Sequence, residues 1–287
     1  MKNDNSFLKK ESLKILIAGF AVLVLLIVVI LKESQPEWQY YQHVFKEVLQ
    51  GHTDQELDSS DIPSGVKQIH LPDAGRVDRC QTCHLGIDMR GLEQAPLPYQ
   101  THPGTGILWY HPAEQFGCTL CHEGQGYALT KAEAHGEIPR EQWPRPILPE
   151  DYLQASCGKC HNPELMEQDA PELFAGRQLY KDKGCKECHR IGPVGGSIGP
   201  EHSNLARFSI KYLEEAVMNP PQESVMPDIG FTREGVQPLV VYMLSLDSKF
   251  DDEVPLKYKK LLSKNQVTSS FLVAGYPLTQ NQKRGRK

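Results

Sequence analysis

No cysteine in this chain stands outside a motif. Of 287 residues eight are cysteine, and all eight fall into four copies of C-x-x-C-H. A structural disulfide framework imposes no such constant spacing, so that use of the thiols is set aside. The chain also lacks an excess of positive charge: its net charge of -5 gives no nucleic-acid signal. Regular periodicity is sparse in the middle, where much of the total of 23 Gly and 21 Pro lies and the sequence reads as loop. No catalytic signature appears apart from the four motifs. Only one long apolar run is present, near the N-terminus.

The motifs are Cys80-Gln81-Thr82-Cys83-His84, Cys118-Thr119-Leu120-Cys121-His122, Cys157-Gly158-Lys159-Cys160-His161 and Cys185-Lys186-Glu187-Cys188-His189. This is the attachment signature of c-type haem. Two thiols bond to the two vinyl groups of one porphyrin, and the adjacent imidazole lies under the iron. A C-x-x-C pair also serves as half a zinc site or as a redox dithiol. Neither chemistry demands His after the second Cys in every copy. The sequence therefore predicts four covalently bound c-type haems, with His84, His122, His161 and His189 as proximal ligands.

Ile15 to Leu31 is an unbroken apolar run, ILIAGFAVLVLLIVVIL. As a helix it spans ~26 Å, at the short end for a membrane crossing. A cleaved signal peptide ends at small residues, whereas here Lys32-Glu33-Ser34-Gln35-Pro36 follows, so an uncleaved anchor is expected. Lys2, Lys9, Lys10 and Lys14 precede the run and Lys32 alone closely follows it. The positive-inside rule then puts the N-terminus in the cytoplasm and the rest in a periplasm, on the outer face of the inner membrane. Trp38, Tyr40 and Tyr41 suit either the membrane interface or the globular part.

The chain divides into five parts: 1–36, N-terminus and anchor; 37–65, helix and linker; 66–170, a loop-rich trihaem region; 171–250, a further haem domain; and 251–287, a tail. The fold class expected is mainly α with extensive loops. In 37–49, Tyr41, Val44, Phe45 and Val48 make a helical stripe. Asp54, Glu56, Asp58 and Asp61 mark a polar linker, and Lys283 to Lys287 a basic end. The first three motifs recur 38 and 39 residues apart, and Trp143-Pro144-Arg145-Pro146 interrupts any helix before the third.

Around the fourth motif the order of features is specific. A helix from Pro171 to Tyr180 carries Gly176; after Cys185 to His189 come Gly199-Pro200, a helix from Ile210 to Met218, Met226-Pro227, and a last helix near Val236 to Leu246 with Tyr242. Residues 171 to 247 thus resemble a class I cytochrome c domain. The resemblance implies Met226, 37 residues after His189, as the sixth ligand of the fourth iron. Met218, at a helix end, competes but suits packing better. A thioether ligand raises haem potential relative to a second imidazole. Pro238 departs from the pattern and is expected to shorten or kink the last helix.

For the other three irons the expected distal ligands are His102, His111 and His135, in Thr101-His102-Pro103, Tyr110-His111-Pro112 and Ala134-His135-Gly136. His70 is the main substitute, with Met89 and Met166 weaker. His43 and His52, near the anchor, read as structural. Which histidine serves which iron is open at this level.

Asp78 to Asp88, the two His-Pro pairs, Phe116-Gly117-Cys118 and Ala134-His135-Gly136 are similar to cytochrome c subunits of bacterial quinol-oxidising complexes, including cytochrome bc-type assemblies. That resemblance implies integral-membrane, cytochrome b-like partner subunits, and a soluble or membrane-bound electron acceptor. One helix cannot build a quinone site, so quinol oxidation needs a partner. Two alternatives stand beside this reading. One is a free-standing shuttle to a terminal reductase, oxidase or photochemical centre. The other is a multihaem reductase, which needs an iron with an open position.

Overall fold

The computed structural model describes residues 4–33, 36–52, 64–71, 76–103, 105–139 and 142–246. The acidic linker, Lys2 and the basic tail lie outside the described residues, as does the side chain of His52.

Helix α1 covers Asp4–Glu33 and holds the apolar run, with Leu16, Phe20, Leu25 and Ile30 all exposed. It is long and apolar enough to cross a membrane. Helix α2 covers Glu37–His52. Its stripe, spaced three and four residues apart, turns Phe45 and Leu49 onto Leu85, Leu92, Ala95 and Tyr99. Full burial of each such side chain stabilises by about 1.5–3 kcal/mol. Tyr41 packs on this cluster while its neighbour Tyr40 stays exposed. The amide of Gln42 donates to the carbonyls of Gly65 at 2.7 Å and Thr82 at 3.1 Å, fastening α2 to the first Cys-x-x-Cys-His segment.

The middle of the chain has little regular structure. An antiparallel ribbon pairs β1 (Ile69–Leu71) with β2 (Arg76–Asp78). Four short helices follow: α3 (Thr105–Tyr110), α4 (Ala113–Phe116), α5 (Thr119–His122) and α6 (Lys131–His135). Trp143 to Pro146 forms no helix, as its prolines require.

The C-terminal part contains α7 (Pro171–Asp182), α8 (Cys185–Cys188), a two-residue ribbon of β3 (Arg190–Ile191) and β4 (Val194–Gly195), α9 (Ile210–Met218) and α10 (Arg233–Ser245). Pro171 sits in the first turn of α7, where its missing N–H costs nothing. Ser209 and Thr232 cap α9 and α10 by accepting backbone N–H bonds from Tyr212 and Gly235. Leu173, Tyr180, Leu213, Val217, Val236, Leu239 and Val240 fill the core, and Met218 packs at its edge. Helix α7 crosses α10 at Gly176, where a Cβ atom would come within 1.8 Å of the Pro238 carbonyl oxygen. Only glycine permits that approach. Pro238 does not shorten α10: the helix begins three residues before Val236 and runs through the proline to Ser245.

Candidate cofactor-binding turns and histidine pairs

The four Cys-x-x-Cys-His segments fold into the same turn. In each, the N–H of the histidine donates to the carbonyl of the first cysteine: His84 to Cys80 at 3.0 Å, and His122 to Cys118, His161 to Cys157 and His189 to Cys185 at 2.9 Å. The second cysteine's N–H reaches the same carbonyl from Cys83 at 3.1 Å, Cys121 at 3.1 Å and Cys160 at 3.2 Å. One helical turn projects residues i and i+3 to the same side, so both sulfurs and the imidazole converge. Among the described residues no disulfide joins any of the eight cysteines.

Opposite three of these histidines stands a second imidazole. His84 faces His135 with ring centres 6.2 Å apart, His122 faces His102 at 6.1 Å, and His161 faces His111 at 6.0 Å. A metal–imidazole bond of about 2 Å and a ring radius of about 1.1 Å put two trans ring centres about 6 Å apart. The planes meet at 36°, 75° and 77°. The spacing of each pair would accommodate one ion between its rings. The structure thus brings together, two by two, the histidines whose pairing spacing left open. His70 lies exposed on β1, and His43 is exposed beside Glu47 on α2.

The fourth histidine differs. Nδ1 of His189 lies 2.8 Å from the Pro200 carbonyl oxygen, which only accepts, so Nδ1 is the donor of this bond. The ring against His189 is His202, stacked at 3.8 Å and 19°, with its Nδ1 2.9 Å from the Tyr180 hydroxyl. Stacked faces leave no room for an ion between them. His202 therefore buttresses His189 and does not mirror it. Met226 is half-buried on the loop between α9 and α10, its N–H donating to Ser224 Oγ at 3.0 Å.

A metal ligand must be deprotonated. Burial, then the neighbouring His135 and His122, push His84 down to about 4. Burial lowers His122 and His161, with the facing His102 and His111 adding to it. His111 is lowered by burial as well, against a bond to the Ile107 carbonyl. These rings are neutral at pH 7 and present lone pairs.

No protein-family model, curated protein or solved structure matches this chain.

Three groups beside the turns escape motif reading. Asp78 is fully buried and accepts from the N–H groups of Cys80 at 3.1 Å, Cys118 at 2.7 Å and Thr119 at 2.8 Å. Burial works to raise its carboxyl, but these N–H bonds outweigh it and hold the group below the usual range. Lys159, inside the third motif, is buried against Glu123, which follows His122. His202 is the third group, and nothing in its sequence setting marks a stack on His189. An aspartate before the first motif was visible in sequence, but not its reach to the second.

Proposed function

We propose that this protein is a membrane-anchored tetrahaem cytochrome c that conducts electrons, as a subunit of a quinol-oxidising complex delivering them to a periplasmic acceptor. The observation that carries the reading is the set of three facing imidazole pairs, each about 6 Å across, built on Cys-x-x-Cys-His turns of one shape. Haem supplies reversible one-electron chemistry. The chain's residues do the remainder. Cys80 and Cys83, Cys118 and Cys121, Cys157 and Cys160, and Cys185 and Cys188 tether the four groups. His84 with His135, His122 with His102, His161 with His111, and His189 with Met226 would hold the four irons. Two protein ligands for each iron would favour transfer over a multihaem reductase, which needs an open position. The α2 stem, packed on the first turn, supports an entry point beside the membrane.

Denaturing mass spectrometry of the chain, made in cells with haem-attachment machinery, tests the assignment. Polypeptide plus four haems is expected; three or fewer counts against it. Purification from native membranes then separates a complex subunit, which brings cytochrome b-like partners, from a free-standing shuttle, which does not.

A further inference from the structure

The first and second Cys-x-x-Cys-His turns share a buried carboxylate. Asp78 ends β2, and its Oδ1 takes the N–H of Cys80 while its Oδ2 takes those of Cys118 and Thr119. Gly117 (φ +62°) lets the second turn come this close, since a Cβ there would lie 2.9 Å from Asp78 Oδ2. One carboxylate oxygen and the sulfurs of Cys80 and Cys118 all lie within 4.8 Å of one another. Free thiolates so arranged would invite a metal ion. Under the reading above both sulfurs are thioethers to two different porphyrins, so the cluster becomes a contact between neighbouring sites.

A second joint links turns two and three. Glu123 has φ 59° and ψ -148°, a backbone region that glycine occupies at little cost and other residues rarely. Its carboxylate meets Lys159 Nζ, which also donates to the Leu120 carbonyl at 3.2 Å, and lies 3.7 Å from Arg145. The third turn in turn rests on the C-terminal core. Cys157 packs there, and a Cβ on Gly158 would fall 2.6 Å from Ser245 Cβ.

We infer that Asp78 and the Glu123–Lys159 pair are positioning residues, two buried polar joints that hold the first three haem-binding turns end to end in chain order. The inference rests on the tetrahaem reading. An apolar contact would join the turns without fixing their register. Directed N–H bonds to Asp78 and a buried ion pair fix it, a role for which buried charges are retained in other proteins. The electron path then runs from the α2 stem through turns one, two and three to the C-terminal part. Electron transfer slows steeply with distance, so the joints govern its rate.

The test uses the full-length holoprotein and the variants Asp78→Asn and Glu123→Gly/Lys159→Met. The second removes both charges and suits the backbone at position 123. Low-temperature EPR of the oxidised protein reads magnetic interaction between neighbouring haems, and mass spectrometry counts them. With four haems retained, Asp78→Asn should weaken the interaction between the first two sites, and the double variant that between the second and third. Spectra superimposable on wild type, at four haems, overturn the proposal. Should a variant load fewer haems, Cys80→Ala/Cys83→Ala decides. Loss of the first haem must alter the signal of the second; a simple subtraction of one independent signal also overturns the proposal. Absence of covalent haem from the wild type defeats the underlying reading instead.

Discussion

His135 faces His84 across 6.2 Å, although the whole second Cys-x-x-Cys-His turn lies between them in the chain. The first site therefore closes around the segment that builds the second. We expect His135→Ala to remove one axial ligand and leave the covalent attachment at Cys80 and Cys83 intact. One haem of four should turn high-spin in the ferric EPR spectrum, and the other three should stay low-spin. The control is His70→Ala, whose ring is exposed on β1 and should leave all four low-spin. A high-spin signal from the control alone would reverse the assignment.

Much of this architecture was legible locally. Helices α2, α7 and α9 follow from apolar spacing and capping residues, and the four turns from their motifs. Long-range pairing was not legible. Nothing in Thr101-His102-Pro103 says that its ring turns to His122 and not to His84, because neither periodicity nor spacing encodes a contact across loops. The same holds for the reach of Asp78 to Thr119 and for the stack of His202 on His189. Pro238 did not shorten α10 for a related reason: the local cost of a proline is outweighed by packing along the helix, where Val236, Leu239, Val240 and Val241 are all buried.

At the fourth site, His202 lies flat against His189 and cannot share an ion with it. Replacing Met226 with His should lower that haem's potential and abolish any Met-to-iron charge-transfer band. His202→Phe keeps a ring against His189 and should preserve the band. An unchanged titration and spectrum in the Met226 variant would remove that residue from the coordination sphere.

Gly176→Ala is a test of the helix crossing. Its new methyl would meet the Pro238 carbonyl oxygen at 1.8 Å and Tyr242 Cβ at 2.9 Å, both on α10. Neither can move without shifting the helix. We expect a loss of about 1–3 kcal/mol in chemical denaturation of the holoprotein. The first two sites, which lie outside this crossing, should keep their spectra, whereas the third, whose Gly158 rests on Ser245 of α10, should respond.

The stem decides how the relay meets its donor. Phe45 has no exposed surface and Leu49 almost none, and both pack on the segment that follows His84. Phe45→Ala should cost about 3–5 kcal/mol at that contact. It should make the stem susceptible to limited proteolysis while four haems remain attached. If α1 spans the membrane, this contact holds the first site beside the bilayer, where quinol-oxidising subunits reside. The proposed function makes the quinol-oxidising donor another chain. Quinol should therefore reduce the haems rapidly in native membranes or in the purified complex, and slowly when the isolated full-length chain is mixed with it. Phe45→Ala in the complex should slow reduction of all four haems together, because the weakened contact precedes the first of them. Rapid quinol reduction of the isolated chain would defeat the partner-dependent model. Slowing confined to the fourth haem would move the entry point away from the stem.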